Sequence, residues 1–121
     1  MLFRSTRDGV PWAALGACGG RRIIPAVTQL LSFLVDFSMP LEKAFATPRI
    51  DASGEKVVCD NRFPPEVVAA LAARFLVEVV EDAVYPAPFA IPSAVSRRVG
   101  QPLNSGMAHV HSPAAAAVVG E

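Results

Sequence analysis

Charge is scarce in this sequence: Asp, Glu, Lys and Arg make up 18% of its 121 residues, against roughly 25% in an ordinary globular domain. A domain of this size has a large surface to cover with polar groups, so the deficit predicts that part of the surface faces another chain. A membrane contact would leave the same compositional mark. The charges present balance at 11 basic and 11 acidic, with no basic cluster longer than Arg21-Arg22 or Arg97-Arg98. That excludes a nucleic-acid footprint. Long apolar runs are missing too. The longest, Ile23 to Val35, is interrupted by Pro25, Thr28, Gln29 and Ser32 and is too short to span a bilayer. Met1 to Gly20 lacks the continuous apolar segment of a secretory signal.

Reactive side chains are equally sparse. Cys18 and Cys59 stand far apart, with no Cys-x-x-Cys and no histidine at ligand spacing, which leaves a disulfide open but unsupported. A thiol near a helix start could act as a nucleophile, but a small buried residue is the preferred reading of Cys18. His109 and His111 fall on one side of an expected strand with no carboxylate or cysteine beside them in sequence. A surface or interface position is preferred over a zinc pair. Glu81-Asp82 with Glu78 reads as a solvated acidic patch; two carboxylates this close could bind a metal, but no third ligand is evident. Neither phosphate-binding glycine signature, Gly-x-x-x-x-Gly-Lys-Ser/Thr or Gly-x-Gly-x-x-Gly, occurs, and Ser93 lacks a nucleophile elbow. No cofactor and no metal are expected.

What is present is a strand, a tight turn and a helix. The apolar run Trp12 to Leu15 stops at Gly16-Ala17-Cys18-Gly19-Gly20, and an apolar helical pattern begins at once. Glycines permit close approach and left-handed backbone, and the first amides of a helix have no internal partner. Such N–H groups suit a phosphate or the oxygen of a tetrahedral intermediate. Ile23, Val27, Leu30 and Leu34 recur at helical spacing, with Ile24, Leu31 and Val35 expected to widen the stripe and Thr28, Ser32 and Asp36 on another face. Pro25 is tolerated in the first turn. Upstream, Asp8-Gly9 predicts a hairpin joining Leu2–Thr6 to Val10–Leu15. A hairpin at the very start predicts that the chain begins inside a longer gene.

Downstream, Pro40 and Glu42 open a short helix through Ala46, which Thr47-Pro48 ends. Ile50–Ser53 and Glu55–Cys59 read as strands, and Glu66–Arg74 as a helix with Val67, Ala70 and Leu71 inward. Phe75–Val80, Ser93–Arg98, Gly106–His111 and Ala114–Val119 are the remaining expected strands, with a proline-punctuated loop from Tyr85 to Pro92. These patterns support a single mixed α/β domain over residues 1–121.

Gly19-Gly20-Arg21-Arg22-Ile23-Ile24, Val27-Thr28-Gln29-Leu30-Leu31, Asp36 to Phe45 and Pro48-Arg49 together resemble the gamma-glutamyltransferase family. There a Ser-Pro-Gly-Gly-like turn precedes a long helix, a short helix and a Pro-Arg pair. The resemblance covers the last part of the family's small subunit. It implies part of the four-layer αββα sandwich of N-terminal nucleophile hydrolases. It also implies a Thr hydroxyl that attacks a gamma-glutamyl amide, such as that of glutathione, with its own α-amine as base. By the same resemblance, Gly19 and Gly20 match the oxyanion-hole amides. The nucleophilic Thr lies upstream in the family and matches nothing here; Thr6 is an ordinary strand-end residue. The resemblance further implies a large subunit, or a missing N-terminal part, as partner. Cys18 stands where the family commonly has Pro, and Arg49 is expected to make a structural salt bridge or carbonyl contact. Periplasm and cytoplasm both remain open as locations.

Overall fold

The computed structural model describes residues 2–7, 9–97 and 104–109. Its centre is a four-stranded antiparallel sheet with strand order β1-β2-β6-β7, built from Leu2–Arg7, Val10–Cys18, Ile91–Arg97 and Asn104–Ala108. Alternation along β2 turns Ala13 and Leu15 inward, and Leu15 sits opposite Ala94 of β6. That face receives α1, Ile23–Val35, whose Ala26, Val27, Leu30 and Leu34 are buried. Each large aliphatic side chain so removed from water contributes about 1.5–3 kcal/mol. The expected hairpin forms, with Leu2 to Arg7 paired against Gly16 to Val10. Asp8 of its turn lies outside the described residues.

The apolar stripe of α1 is narrower than its sequence suggests. Ile24 is 62% exposed and Val35 46% exposed, because the sheet covers only the face carrying Val27, Leu30 and Leu34. Where α1 ends, the Ser32 hydroxyl donates to Asp36 Oδ2 at 2.7 Å and Ser38 adopts a positive φ of 51°. A short helix, α2 (Leu41–Ala46), then closes the core with Leu41, Ala44 and Phe45. Thr47 is extended, as the residue before a proline must commonly be, and this stops α2.

A second sheet has the order β3-β4-β5, from Ile50–Asp51, Val57–Asp60 and Val77–Val80. β3 pairs antiparallel with β4, and β4 pairs parallel with β5 through the crossover helix α3, Pro65–Ala72. Gln29 stitches this sheet to α1. Its amide donates to Ile50 O at 2.6 Å and accepts from Ile50 N–H at 2.9 Å, replacing a neighbouring strand at that edge.

The helix α3 departs from expectation: none of its residues is buried, and Val67 is 37% exposed. Its apolar pattern sets a helix, but no described layer covers it. Phe75 and Leu76, expected within a strand, lie before β5 and are 55% and 62% exposed. The expected strand Ala114–Val119 and His111 lie outside the described residues. No helix among the described residues is long and apolar enough to cross a membrane.

Candidate active-site turn and its relatives

The glycine turn is tighter than the run of small residues suggests. Gly16, Ala17 and Cys18 remain in β2, paired with Ser93, Pro92 and Ile91, so only Gly19 and Gly20 leave the sheet. A 3-10 turn, Gly20–Arg22, follows directly and feeds α1. Gly19 has φ 140° and Gly20 has φ 60°. Both values lie where side-chain-bearing residues are strained.

Space constrains Gly19 as well: a Cβ there would lie 2.9 Å from Ala90 Cα, whereas one on Gly20 would meet nothing within 4 Å. The carbonyls of both glycines are used, Gly19 O accepting from Arg22 N–H at 3.3 Å and Gly20 O from Ile23 N–H. Their N–H groups stand at the start of the 3-10 turn, where helical geometry supplies no internal acceptor. A left-handed residue followed by right-handed ones forms an N–H concavity suited to a negative oxygen. Both glycines are exposed. A cleft of about 520 Å³ opens along the start of α1, lined by Arg21, Ile24, Thr28, Ile50 and Ala52 among others but by neither glycine.

Two arginines hold the loop beneath the turn. Arg22 Nη1 donates to Ala87 O at 2.8 Å, and its Nε lies 3.6 Å from Asp51 Oδ2. Asp51 is buried, and its other oxygen accepts from Ser53 N–H at 2.9 Å. Arg49 makes the expected carbonyl contact, Nη1 to Ala90 O at 3.4 Å, with its guanidinium 5.8 Å from the Phe89 ring centroid. Burial lowers the Arg49 pKa from its ordinary value, against the opposing pull of the Asp82 and Asp60 carboxylates. None of the Arg22 and Arg49 ties to Asp51, Ala87 and Ala90 has a local sequence signal, since the partners are 29 to 65 positions apart.

Several side chains sit elsewhere than expected. Cys18 is exposed rather than buried, because the alternation that turns Leu15 inward puts Cys18 on the other side of β2; its thiol contacts Ile91 O at 3.7 Å. Cys59 is buried, and both thiols are free. Burial, with the Asp60 carboxylate beside it, pushes the Cys59 thiol pKa up. Asp82 is not part of a solvated patch. The residue is half-buried, and its largely shielded side chain meets that of the buried His109, which follows β7, at 3.1 Å. His109 therefore belongs to a polar interior pair and not to the surface. Asp60 is likewise buried and forked by Arg62, whose Nε lies 3.0 and 3.1 Å from its two oxygens. Among the described residues no three His, Cys, Asp or Glu side chains gather as a metal site.

Comparison with known proteins agrees with this arrangement. The family model described as Gamma-glutamyltranspeptidase matches residues 1–118. The glutathione hydrolase proenzyme of Pseudomonas aeruginosa is 44% identical over 45 residues, which are 37% of this chain and 8% of that protein. The matched segment is thus a small part of that relative's length. Among solved structures, the gamma-glutamyltranspeptidase of Pseudomonas nitroreducens superposes with a TM-score of 0.77 at 23% identity, covering 99% of this chain and 62% of that one. A cephalosporin acylase from Bacillus halodurans gives 0.78 at 20% identity over 95% of this chain and 21% of that one. These likenesses identify the fold as the mixed α/β, partial αββα type of the N-terminal nucleophile hydrolases. With nearly its whole length matched by the family model, the chain belongs to the gamma-glutamyltranspeptidase family.

Proposed function

We propose that this chain is the C-terminal portion of a gamma-glutamyltransferase or glutathione hydrolase small subunit, and that Gly19 and Gly20 donate its oxyanion-hole hydrogen bonds. The observation that carries the reading is the pair of consecutive positive-φ glycines between β2 and α1, with their amides at the start of a helix. In the assembled enzyme a Thr supplied outside this chain attacks the gamma-glutamyl carbonyl. Negative charge then develops on the carbonyl oxygen, and fixed N–H donors stabilise it without reorganising. The amine leaves, and water or an acceptor amine resolves the acyl-enzyme. A large subunit or N-terminal part of the enzyme is the partner. The exposed apolar side chains Val67, Phe75, Leu76 and Val79 around α3 and β5 support a surface that such a partner covers.

The test begins with the chain tagged at Glu121 and purified from its source, with its partners identified by mass spectrometry and size exclusion. In the assembly so obtained, glycolic acid in place of Gly20 turns one amide into an ester. That removes the N–H and leaves φ 60° accessible, with the smaller side effect that Gly19 O becomes an ester carbonyl and a weaker acceptor for Arg22 N–H, whereas proline could not adopt φ 60°. Hydrolysis of a chromogenic gamma-glutamyl anilide should slow by about 10²–10³-fold, roughly 3–4 kcal/mol. An unaltered rate would remove Gly20 from the catalytic apparatus. A second reading, a noncatalytic remnant that binds a related large subunit, is favoured by Ala17-Cys18 in place of the family's Ser-Pro and by the exposure of Cys18. A chain that co-purifies with a related large subunit in an inactive assembly would establish that reading instead.

A further inference from the structure

We infer that Arg22 is a positioning residue for the oxyanion-hole turn, holding the Gly19 and Gly20 amides in register by bracing the 3-10 turn against two separate elements. This inference rests on the oxyanion reading of the two glycines. Arg22 closes the 3-10 turn that Gly20 opens, and its own N–H bonds back to Gly19 O at 3.3 Å. Its side chain then reaches out of the turn in two directions. Nη1 donates to Ala87 O at 2.8 Å in the loop before β6, and Nε faces the buried carboxylate of Asp51 in β3 at 3.6 Å.

The loop that Arg22 grips is the one against which Gly19 packs. Ala90 lies so close to Gly19 that a Cβ on the glycine would collide with it at 2.9 Å. Arg49 grips the same loop from below through Ala90 O at 3.4 Å. The glycine turn is therefore seated between a backbone wall and a guanidinium brace. Glycines have no side chains with which to hold themselves in place, and their left-handed conformations are broad and shallow. Catalytic donors must nonetheless be held to a fraction of an ångström. Arg22 supplies that restraint from outside the reacting groups. Its planar fork can serve a carbonyl and a carboxylate together, which an ammonium on a flexible stem does less well.

The experiment is a double-mutant cycle in the assembled enzyme, with Arg22→Gln crossed against the Gly20 amide-to-ester change and a gamma-glutamyl anilide as substrate. Arg22→Gln is expected to lower kcat by about 10- to 100-fold with KM within about twofold of the original value. Arg22→Lys should recover part of that loss. In the Arg22→Gln background the ester change should cost far less than it does alone, because a mis-aimed N–H has less to lose. Additive losses, or an Arg22→Gln enzyme with undiminished kcat beside an impaired ester enzyme, overturn the positioning role. An ester enzyme as active as the original overturns the oxyanion reading itself, which separates the two failures. Should Arg22→Gln not assemble, Arg22→Lys takes its place in the same cycle, and additivity there overturns the inference equally.

Discussion

The two longer helices carry similar apolar patterns and meet opposite fates. α1 lies on the four-stranded sheet, with Val27 and Leu30 wholly excluded from solvent. α3 links β4 to β5 and buries none of its residues. Both open with proline in the first turn, and both have a face of aliphatic side chains. The difference lies in what stands opposite. α1 meets Leu15 and Ala94 of the sheet and Leu41 and Phe45 of α2, whereas α3 has a short three-stranded sheet on one side and no layer of described residues on the other. Burial is thus a property of the neighbourhood a helix is given. An amphipathic helix states only which face it would bury. It also follows that the glycine turn grows from the well-buried part of the described structure.

Truncating Leu30 tests that contrast most strongly. Leu30→Ala should cost about 2–5 kcal/mol, while Val67→Ala on α3 should cost well under about 1 kcal/mol, both read from urea denaturation midpoints. Comparable losses at the two positions would show that another surface covers α3 in the species measured. Next in size is Gly19→Ala against Gly54→Ala. At Gly19 the new methyl meets backbone at 2.9 Å with φ 140°, whereas at Gly54 it meets only the mobile end of Arg21 at 3.3 Å. The first should cost about 1–3 kcal/mol. The second should fall within about 0.5 kcal/mol of the parent.

The cysteines give a chemical version of the same division. Cys18 should react with a thiol reagent in the native protein and Cys59 only on unfolding, so the native titration should count one thiol. Because the folded state holds the Cys59 proton more tightly than the unfolded chain does, stability should fall as pH rises past the ordinary thiol value of 9.0. Cys59→Ala should remove that part of the alkaline loss. Protection of Cys18 in the purified chain would mean that the turn is covered. The smallest effect belongs to Lys56 and Glu78, whose side chains are 53% and 52% exposed at 3.3 Å separation. Lys56→Ala should shift stability by no more than about 0.5 kcal/mol, and less at high salt.

Much of this molecule is determined locally. Asp8-Gly9 sets the first hairpin, Pro40 and Pro48 bracket α2, and Pro65 opens α3, because turn and cap preferences act over a few residues. The spacing of Val27, Leu30 and Leu34 names the buried face of α1 for the same reason. The glycine pair was legible as a turn between strand and helix, and the family words around it implied the oxyanion role proposed for it. What the chain could not state for itself is how far β2 runs before the turn, since Gly16 to Cys18 stay in the sheet only through pairing with Ile91 to Ser93. Nor could it show that Arg22 and Arg49 would clamp one loop, or that Asp82 would leave its acidic neighbours for His109. Gln29 on an apolar helix hinted at a polar partner without naming Ile50. Propensity and periodicity act along the chain, while pairing, burial and bracing depend on segments that meet only once it has folded. The sequence by itself thus determined the elements and the conformational freedom of the turn. The tertiary structure alone decided what holds that turn in place.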